Sequence, residues 1–212
     1  IPIWITGLWT EPKRTEILLQ IIRFWMKCYF FIIGLRLIVT GREHFKKGIS
    51  YIVLCNHNSL MDIPVSTPSI PGISKTIAKI EMSRIPVFGM IYKRGSVLVD
   101  RKSEESRKAS YASMKAVLDK GMHMCIYPEG TRNKSREPMQ KFHGGAFRLT
   151  ENSRHPIMPA LIFNTKKALP VDKTFYYWPT KVEIHFLEPI EPLSQTAEEL
   201  KEEVFTIMKQ YY

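Results

Sequence analysis

Short, almost continuously apolar runs recur along the chain at residues 35–40, 51–55, 75–80, 96–100, 123–127, 157–163, 175–178 and 182–187. Stretches with helical spacing of their apolar residues lie between them, most clearly at 103–120 and 196–211. Runs that are apolar on both sides suit strands covered on both faces, and helical stretches between them suit crossover connections. The pattern predicts an α/β fold, a mixed and mostly parallel sheet flanked by helices. The two late runs flanking Pro179 and Thr180 read as a hairpin, which would supply antiparallel pairing. At 212 residues with 44% hydrophobic and 24% charged side chains, the chain can bury a full core and lies far from the composition of disordered proteins. No repeat or linker divides it, so one α/β domain is expected over residues 39–212, preceded by an apolar N-terminal segment over 1–38.

Residues 1–9 (IPIWITGLW) are apolar but too few to span a bilayer. Residues 17–38 have the length of a span, yet Gln20, Arg23 and Lys27 fall three and four apart and line one helical face. This predicts an amphipathic helix whose Trp25, Tyr29, Phe30 and Phe31 meet a lipid interface while its basic stripe meets anionic head groups. A helix buried in an ordinary core is the competing reading. Because the chain starts at Ile1, a further membrane segment is expected upstream.

The net charge of +11, from 31 Lys and Arg against 20 Asp and Glu, calls for an anionic partner: nucleic acid, a membrane surface or a phosphorylated small substrate. Nucleic acid ranks last, since the aromatics sit in apolar runs and no RNP, helix-turn-helix or zinc pattern occurs. Three widely spaced cysteines, Cys28, Cys55 and Cys125, give no disulfide framework, which fits a reducing, cytosol-facing compartment. No His/Cys/Asp grouping has metal-ligand spacing, so no metal is expected.

In α/β sheets, ligands gather where strands give way to loops and helix N-termini. Three polar clusters stand at such places: 56–62 (NHNSLMD), 100–101 (DR) and 127–132 (YPEGTR). His57 and Asp62 are five residues apart, which in an unbroken helix would separate them by about 140°. A turn must intervene. With Ser59 capping a short helix from Leu60, Asp62 falls in the first turn and can fold back onto the histidine. A carboxylate on one ring nitrogen fixes the tautomer and leaves the other nitrogen as a general base toward a bound hydroxyl. No protein nucleophile stands out: Ser59 is engaged as a cap, GxSxG is absent and Cys55 precedes the turn. The substrate would then bring its own hydroxyl. The alternative is a histidine satisfied by loop hydrogen bonds, with Asp62 an ordinary helix-start residue.

Gly130 permits a positive φ that would let backbone amides approach an anion, and Arg132 and Arg101 would add guanidinium forks suited to phosphate. Glu129 is expected to orient one of these arginines or to accept a hydrogen bond from a substrate hydroxyl. An ordinary turn after a strand is the other reading of this loop.

Taken together and in this order, NHNSLMD at 56–62, GSVLVDR at 95–101, YPEGTR at 127–132 and PIMPA at 156–160 resemble the four blocks of a known acyltransferase family. That family includes lysophosphatidic acid acyltransferase and glycerol-3-phosphate acyltransferase. Ala78-Lys79, followed by Glu81-Met82, Pro86 and Gly89, is similar to a further stretch whose lysine faces the substrate phosphate; the likeness runs over residues 36–190. The resemblance implies that His57 is the general base and Asp62 its partner, with Asn56 and Ser59 supporting the motif. It implies that Lys79, Arg101 and Arg132 face the phosphate of a lysophospholipid and that Glu129, Gly130 and Thr131 complete the pocket. The implied reaction transfers a fatty acyl group from acyl-CoA or acyl carrier protein to the free sn-2 hydroxyl of lysophosphatidic acid. It gives phosphatidic acid without an acyl-enzyme or a cofactor, at the cytoplasmic face of a membrane.

Two positions depart from the family pattern. Tyr127 stands where the third block often opens with Phe, and His143 and Gly144 stand where lysine is common. The motifs leave open glycerol-3-phosphate or another lysophospholipid as acceptor. A non-catalytic module that binds phospholipid at the membrane surface is the rival reading from another class.

Overall fold

The computed structural model describes every residue except Ile1, Val87, Thr174 and Phe175. Its strands are Arg36–Thr40 (β1), Ile52–Cys55 (β2), Ser74–Lys79 (β3), Ser96–Val99 (β4), His123–Ile126 (β5), Ile157–Phe163 (β6) and Lys181–Phe186 (β7). They form one sheet in the order β1-β7-β6-β2-β5-β3-β4. Among the described residues, five of the six strand pairings are parallel and that of β6 with β7 is antiparallel, so the sheet is mixed and mostly parallel, as the apolar runs predict.

Helices Lys13–Ile32 (α1), Asp62–Ser69 (α2), Phe88–Gly95 (α3), Glu104–Asp119 (α4), Gly145–Ser153 (α5), Thr165–Ala168 (α6) and Ala197–Tyr211 (α7) cover the sheet. All four residues of β2 and all four of β5 are buried, because alternate side chains enter two different cores. Ile52, Leu54, Met124 and Ile126 pack with residues of α4, α5 and α7 on one face. Val53, Cys55, Cys125 and Tyr127 pack with Met61, Val65 and Phe30 on the other.

Among the described residues, the hairpin expected around Pro179 and Thr180 is not formed. Phe175 lies outside the described residues, 176–178 is irregular, and the Trp178 amide donates to the Ala168 carbonyl at 2.9 Å. β7 instead takes the gap between β1 and β6, where Val182, Ile184 and Phe186 alternate into the core. A proline two residues before the strand suits the approach to a strand start better than a central pairing position.

α1 corrects a second expectation. Arg23 does not face outward with Lys27: its guanidinium donates to the carbonyls of Ile70 at 2.9 Å and Gly72 at 2.6 Å. Those carbonyls lie at the C-terminus of α2, where a helix leaves acceptors without intrahelical partners. Phe30 is likewise buried in the core and Trp25 packs beside Ile22. The flank left exposed is apolar all the same, with Phe24, Phe31 and Ile32 at 67%, 87% and 79% exposure beside Lys27. Among the described residues, no helix is long and apolar enough to cross a membrane.

Glu11 tethers α1 to the sheet. Its carboxylate takes Lys75 of β3 at 2.8 Å, Arg14 at 2.7 Å and the Thr15 hydroxyl at 2.5 Å. Burial pushes this carboxyl up, but the Lys75, Thr15 and Arg14 bonds outweigh it and hold the pKa at about 2. A carboxyl depressed on folding stabilises the fold above its ordinary pKa and loses that contribution as pH falls toward the folded value. Glu11→Gln should therefore destabilise the protein by about 1 to 2 kcal/mol near pH 7, a figure reduced for partial solvent screening. The difference from wild type should shrink as pH falls from about 4.5 toward 2. Urea midpoints of the two proteins across that range check it; equal midpoints at pH 7 would show that the tether contributes nothing.

Candidate active site

Strands β2, β5, β3 and β4 are neighbours and mutually parallel, so their C-terminal ends share one edge of the sheet. Along that edge stand His57 after β2, the loop from Pro128 to Arg132 after β5, Lys79 at the end of β3 and Arg101 after β4. Parallel topology alone brings together residues that the sequence scatters.

The His57 Nδ1 lies 2.8 Å from Asp62 Oδ2. Asp62 is fully buried and its Oδ2 also accepts the amides of Asn58 at 2.6 Å and Ser59 at 2.7 Å, while its Oδ1 accepts the Thr165 hydroxyl at 2.5 Å. Three further donors hold the carboxylate that holds the imidazole. With Nδ1 engaged, Nε2 is the free nitrogen of a ring whose side chain keeps 13% exposure. Tyr127 packs under this ring with centroids 4.4 Å apart, and its own hydroxyl is satisfied by Ser66 at 2.8 Å. Burial raises the Tyr127 phenol well above its ordinary range, so it stays neutral.

The turn between His57 and Asp62 differs in detail from the expected capped helix. α2 begins at Asp62 rather than Leu60, and Ser59 accepts from the Met61 amide at 3.2 Å while donating to the Leu169 carbonyl at 2.6 Å. Asp62 itself takes the upstream amides, because only a carboxylate can accept from that many donors at once. Asn56 brackets the strand end: its side chain donates to the Ile162 carbonyl at 2.9 Å and accepts from the Ile162 amide at 2.7 Å, extending β2's hold on β6 by one residue.

Glu129 does not orient Arg132 or Arg101. Almost wholly buried, it accepts the His57 amide at 2.6 Å through one oxygen and the Gln140 amide at 2.8 Å through the other. Burial raises its pKa, and the two amides counter part of that rise. Gly130 has the expected positive φ, +69°, and a Cβ there would sit 2.8 Å from the His143 ring. Its amide, however, closes a turn onto the Tyr127 carbonyl at 3.0 Å, and its carbonyl accepts from Arg101. Lys79 pairs with Glu81 at 2.9 Å, Thr131 is exposed and Arg132 is half-buried on the same edge.

A model of the family described as Acyltransferase matches residues 36–163. The chain belongs to the acyltransferase family. It is 33% identical over 141 residues to a 1-acyl-sn-glycerol-3-phosphate acyltransferase of Helicobacter pylori, a match covering 66% of this chain and 58% of the relative. It is 28% identical over 146 residues to the human 1-acyl-sn-glycerol-3-phosphate acyltransferase alpha, covering 68% of this chain and 51% of the relative. The chain thus spans just over half the length of these relatives. Among solved structures, the 1-acyl-sn-glycerophosphate (LPA) acyltransferase PlsC of Thermotoga maritima superposes with a TM-score of 0.81 at 25% identity, covering 98% of this chain and 84% of that one.

In this chain three supporting residues escape sequence reasoning. Thr165 reaches Asp62 from 103 positions away, at the start of a four-residue helix. The Gln140 amide holds the second oxygen of Glu129. Asn133, fully buried, donates its amide to the His57 carbonyl at 2.7 Å and organises its own loop through Ser135 and Glu137. No spacing signal marks any of them, since each acts through a contact made by the tertiary fold.

Proposed function

We propose that the chain is a 1-acylglycerol-3-phosphate O-acyltransferase, moving a fatty acyl group from a thioester, acyl-CoA or acyl carrier protein, to the sn-2 hydroxyl of lysophosphatidic acid. The observation that carries this reading is the imidazole of His57, fixed through Nδ1 by a fully buried carboxylate with Nε2 left free. Nε2 takes the proton from the acceptor hydroxyl as its oxygen attacks the thioester carbonyl. Collapse of the tetrahedral adduct expels the thiolate, which recovers that proton from the imidazolium. Asp62 holds the tautomer and stabilises the transient imidazolium.

Direct transfer without an acyl-enzyme is supported by the state of the nearby nucleophiles. The Ser59 hydroxyl is committed to the Leu169 carbonyl, and the hydrogen bond to Cys125 together with burial raises the Cys55 thiol well above its ordinary value. Lys79, Arg101 and Arg132 supply the charge for the acceptor phosphate, and Thr131 lies exposed at the same rim. The apolar flank of α1 with Lys27 beside it is the surface offered to anionic lipid at the cytoplasmic face of a membrane.

The deciding experiment incubates the purified chain with lysophosphatidic acid, glycerol-3-phosphate and lysophosphatidylcholine, each against acyl-CoA and acyl carrier protein donors. Phosphatidic acid from the first acceptor is the expected product. Binding to anionic vesicles with no transfer from any donor would instead identify a non-catalytic lipid-binding module.

A further inference from the structure

A cavity of about 740 Å³ opens on the α4 and α5 side of the sheet edge. Ile77, Val99 and Ile126 contribute an apolar floor, and Arg101, Arg107, Lys108 and Arg148 stand around it with a single carboxylate, Glu104. That carboxylate is paired with Lys108 at 2.9 Å. Among the described residues, no carboxylate forms an ion pair with Arg101, Arg107 or Arg148. An apolar trough rimmed by guanidinium groups without ion-pair partners is complementary to a ligand that joins an aliphatic chain to phosphate.

The wall of this cavity includes Tyr127 and Gly130, and the segment between them also touches His57, through the Tyr127 ring and the Glu129 carboxylate. Arg101 reaches back to the Gly130 carbonyl and stands at the near end, while the far end is set by Arg107 and the first turns of α4, beyond β4. β4 lies three strand positions from β2, which places that end roughly 14 Å from the strand carrying His57. In a lysophosphatidate the reacting hydroxyl and the phosphate sit on neighbouring carbons, so one molecule cannot put its hydroxyl at His57 and its phosphate there. A pantetheine arm, comparable in length to about five extended residues, reaches ~17 Å and can.

We infer that this cavity seats the pantetheine arm of the acyl donor, with Arg107 and Arg148 holding its phosphate and Lys108 in reserve behind Glu104. The inference rests on the proposed acyl transfer and adds where the donor enters: across β3 and β4, with its thioester advancing toward His57. The phosphopantetheine group is common to CoA and to acyl carrier protein.

Arg107 and Arg148 are both exposed, so Arg107→Gln/Arg148→Gln removes charge without disturbing the core. The variant is expected to raise KM for acyl-CoA, for acyl carrier protein or for both by about tenfold or more. Whichever donor is affected identifies the source of the phosphate. KM for lysophosphatidic acid and turnover with an acyl-N-acetylcysteamine donor, which has the thioester but no phosphate, should stay as in wild type. A rise in the acceptor's KM, an equal loss with the phosphate-free donor, or no change with either natural donor would overturn the assignment. Calorimetric binding of phosphopantetheine, the group common to both donors, needs no turnover and separates this failure from failure of the enzymatic reading. Wild-type binding lost in the variant supports the cavity, and equal binding, or none by wild type, overturns it.

Discussion

Alanine at position 57 should lower kcat for acyl transfer by about 10³-fold or more while the protein remains folded, because no neighbouring group can take over the proton. The buried Cys55 thiol is held protonated and the Ser59 hydroxyl is already donating to a backbone carbonyl. The structural cost should be modest. Asp62 loses one of four donors and Tyr127 loses a tilted ring packed against it, a change of about 1 to 2 kcal/mol. Single-turnover rates and urea midpoints on the same preparation separate the two effects. Turnover within tenfold of wild type in a folded H57A protein would remove general-base catalysis by this residue from the mechanism.

Asp62→Asn should lose both activity and stability, and the pairing of the two losses is its signature. A carboxamide keeps the shape of the side chain, but one of its ends becomes a donor. Whichever way it turns, an NH₂ meets either the Asn58 and Ser59 amides with the His57 Nδ1, or the Thr165 hydroxyl. The Thr165 hydroxyl can rotate and the amides cannot, so the carbonyl should turn toward the amides. Even then the charge that stabilises an imidazolium is gone. The expected fall in kcat is about 10²- to 10⁴-fold, and the expected loss of stability about 2 to 4 kcal/mol because the site is fully buried. Full stability with lost turnover would mean that the carboxylate serves chemistry alone; full turnover would make Asp62 a structural turn residue.

The strands were legible because burial on both faces leaves little room for polar residues: β2, β5 and β6 read as apolar runs for that reason. The partner of a strand is not written in its own residues. β7 reads as the partner of the run at 175–178, and the packing of Val182, Ile184 and Phe186 against the rest of the core instead selects the gap between β1 and β6. The same limit governs the site. His57 and Asp62 lie within one loop, so their contact follows from local geometry. The partners of Glu129 are backbone amides at 57 and 140, invisible to any reasoning about side-chain charge, and Arg23 is drawn inward by carbonyls at the end of a helix 47 positions away. A charged residue on an amphipathic pattern reveals its spacing, not whether water or a helix terminus will satisfy it.

The loop that carries His57 is fastened to the middle of the sheet on several sides: to β6 through Asn56, to the start of α6 through Asp62, and to the loop after β5 through Glu129 and Asn133. A segment tied in this way opens only with the sheet centre itself, so its amide protons should exchange with solvent on the slow timescale of global unfolding rather than that of surface loops. Any breathing needed to admit a long aliphatic guest must then arise in the outer half of the molecule, around β3, β4 and α3. On the proposed mechanism His57 serves as a fixed anvil toward which the outer walls bring the reactants.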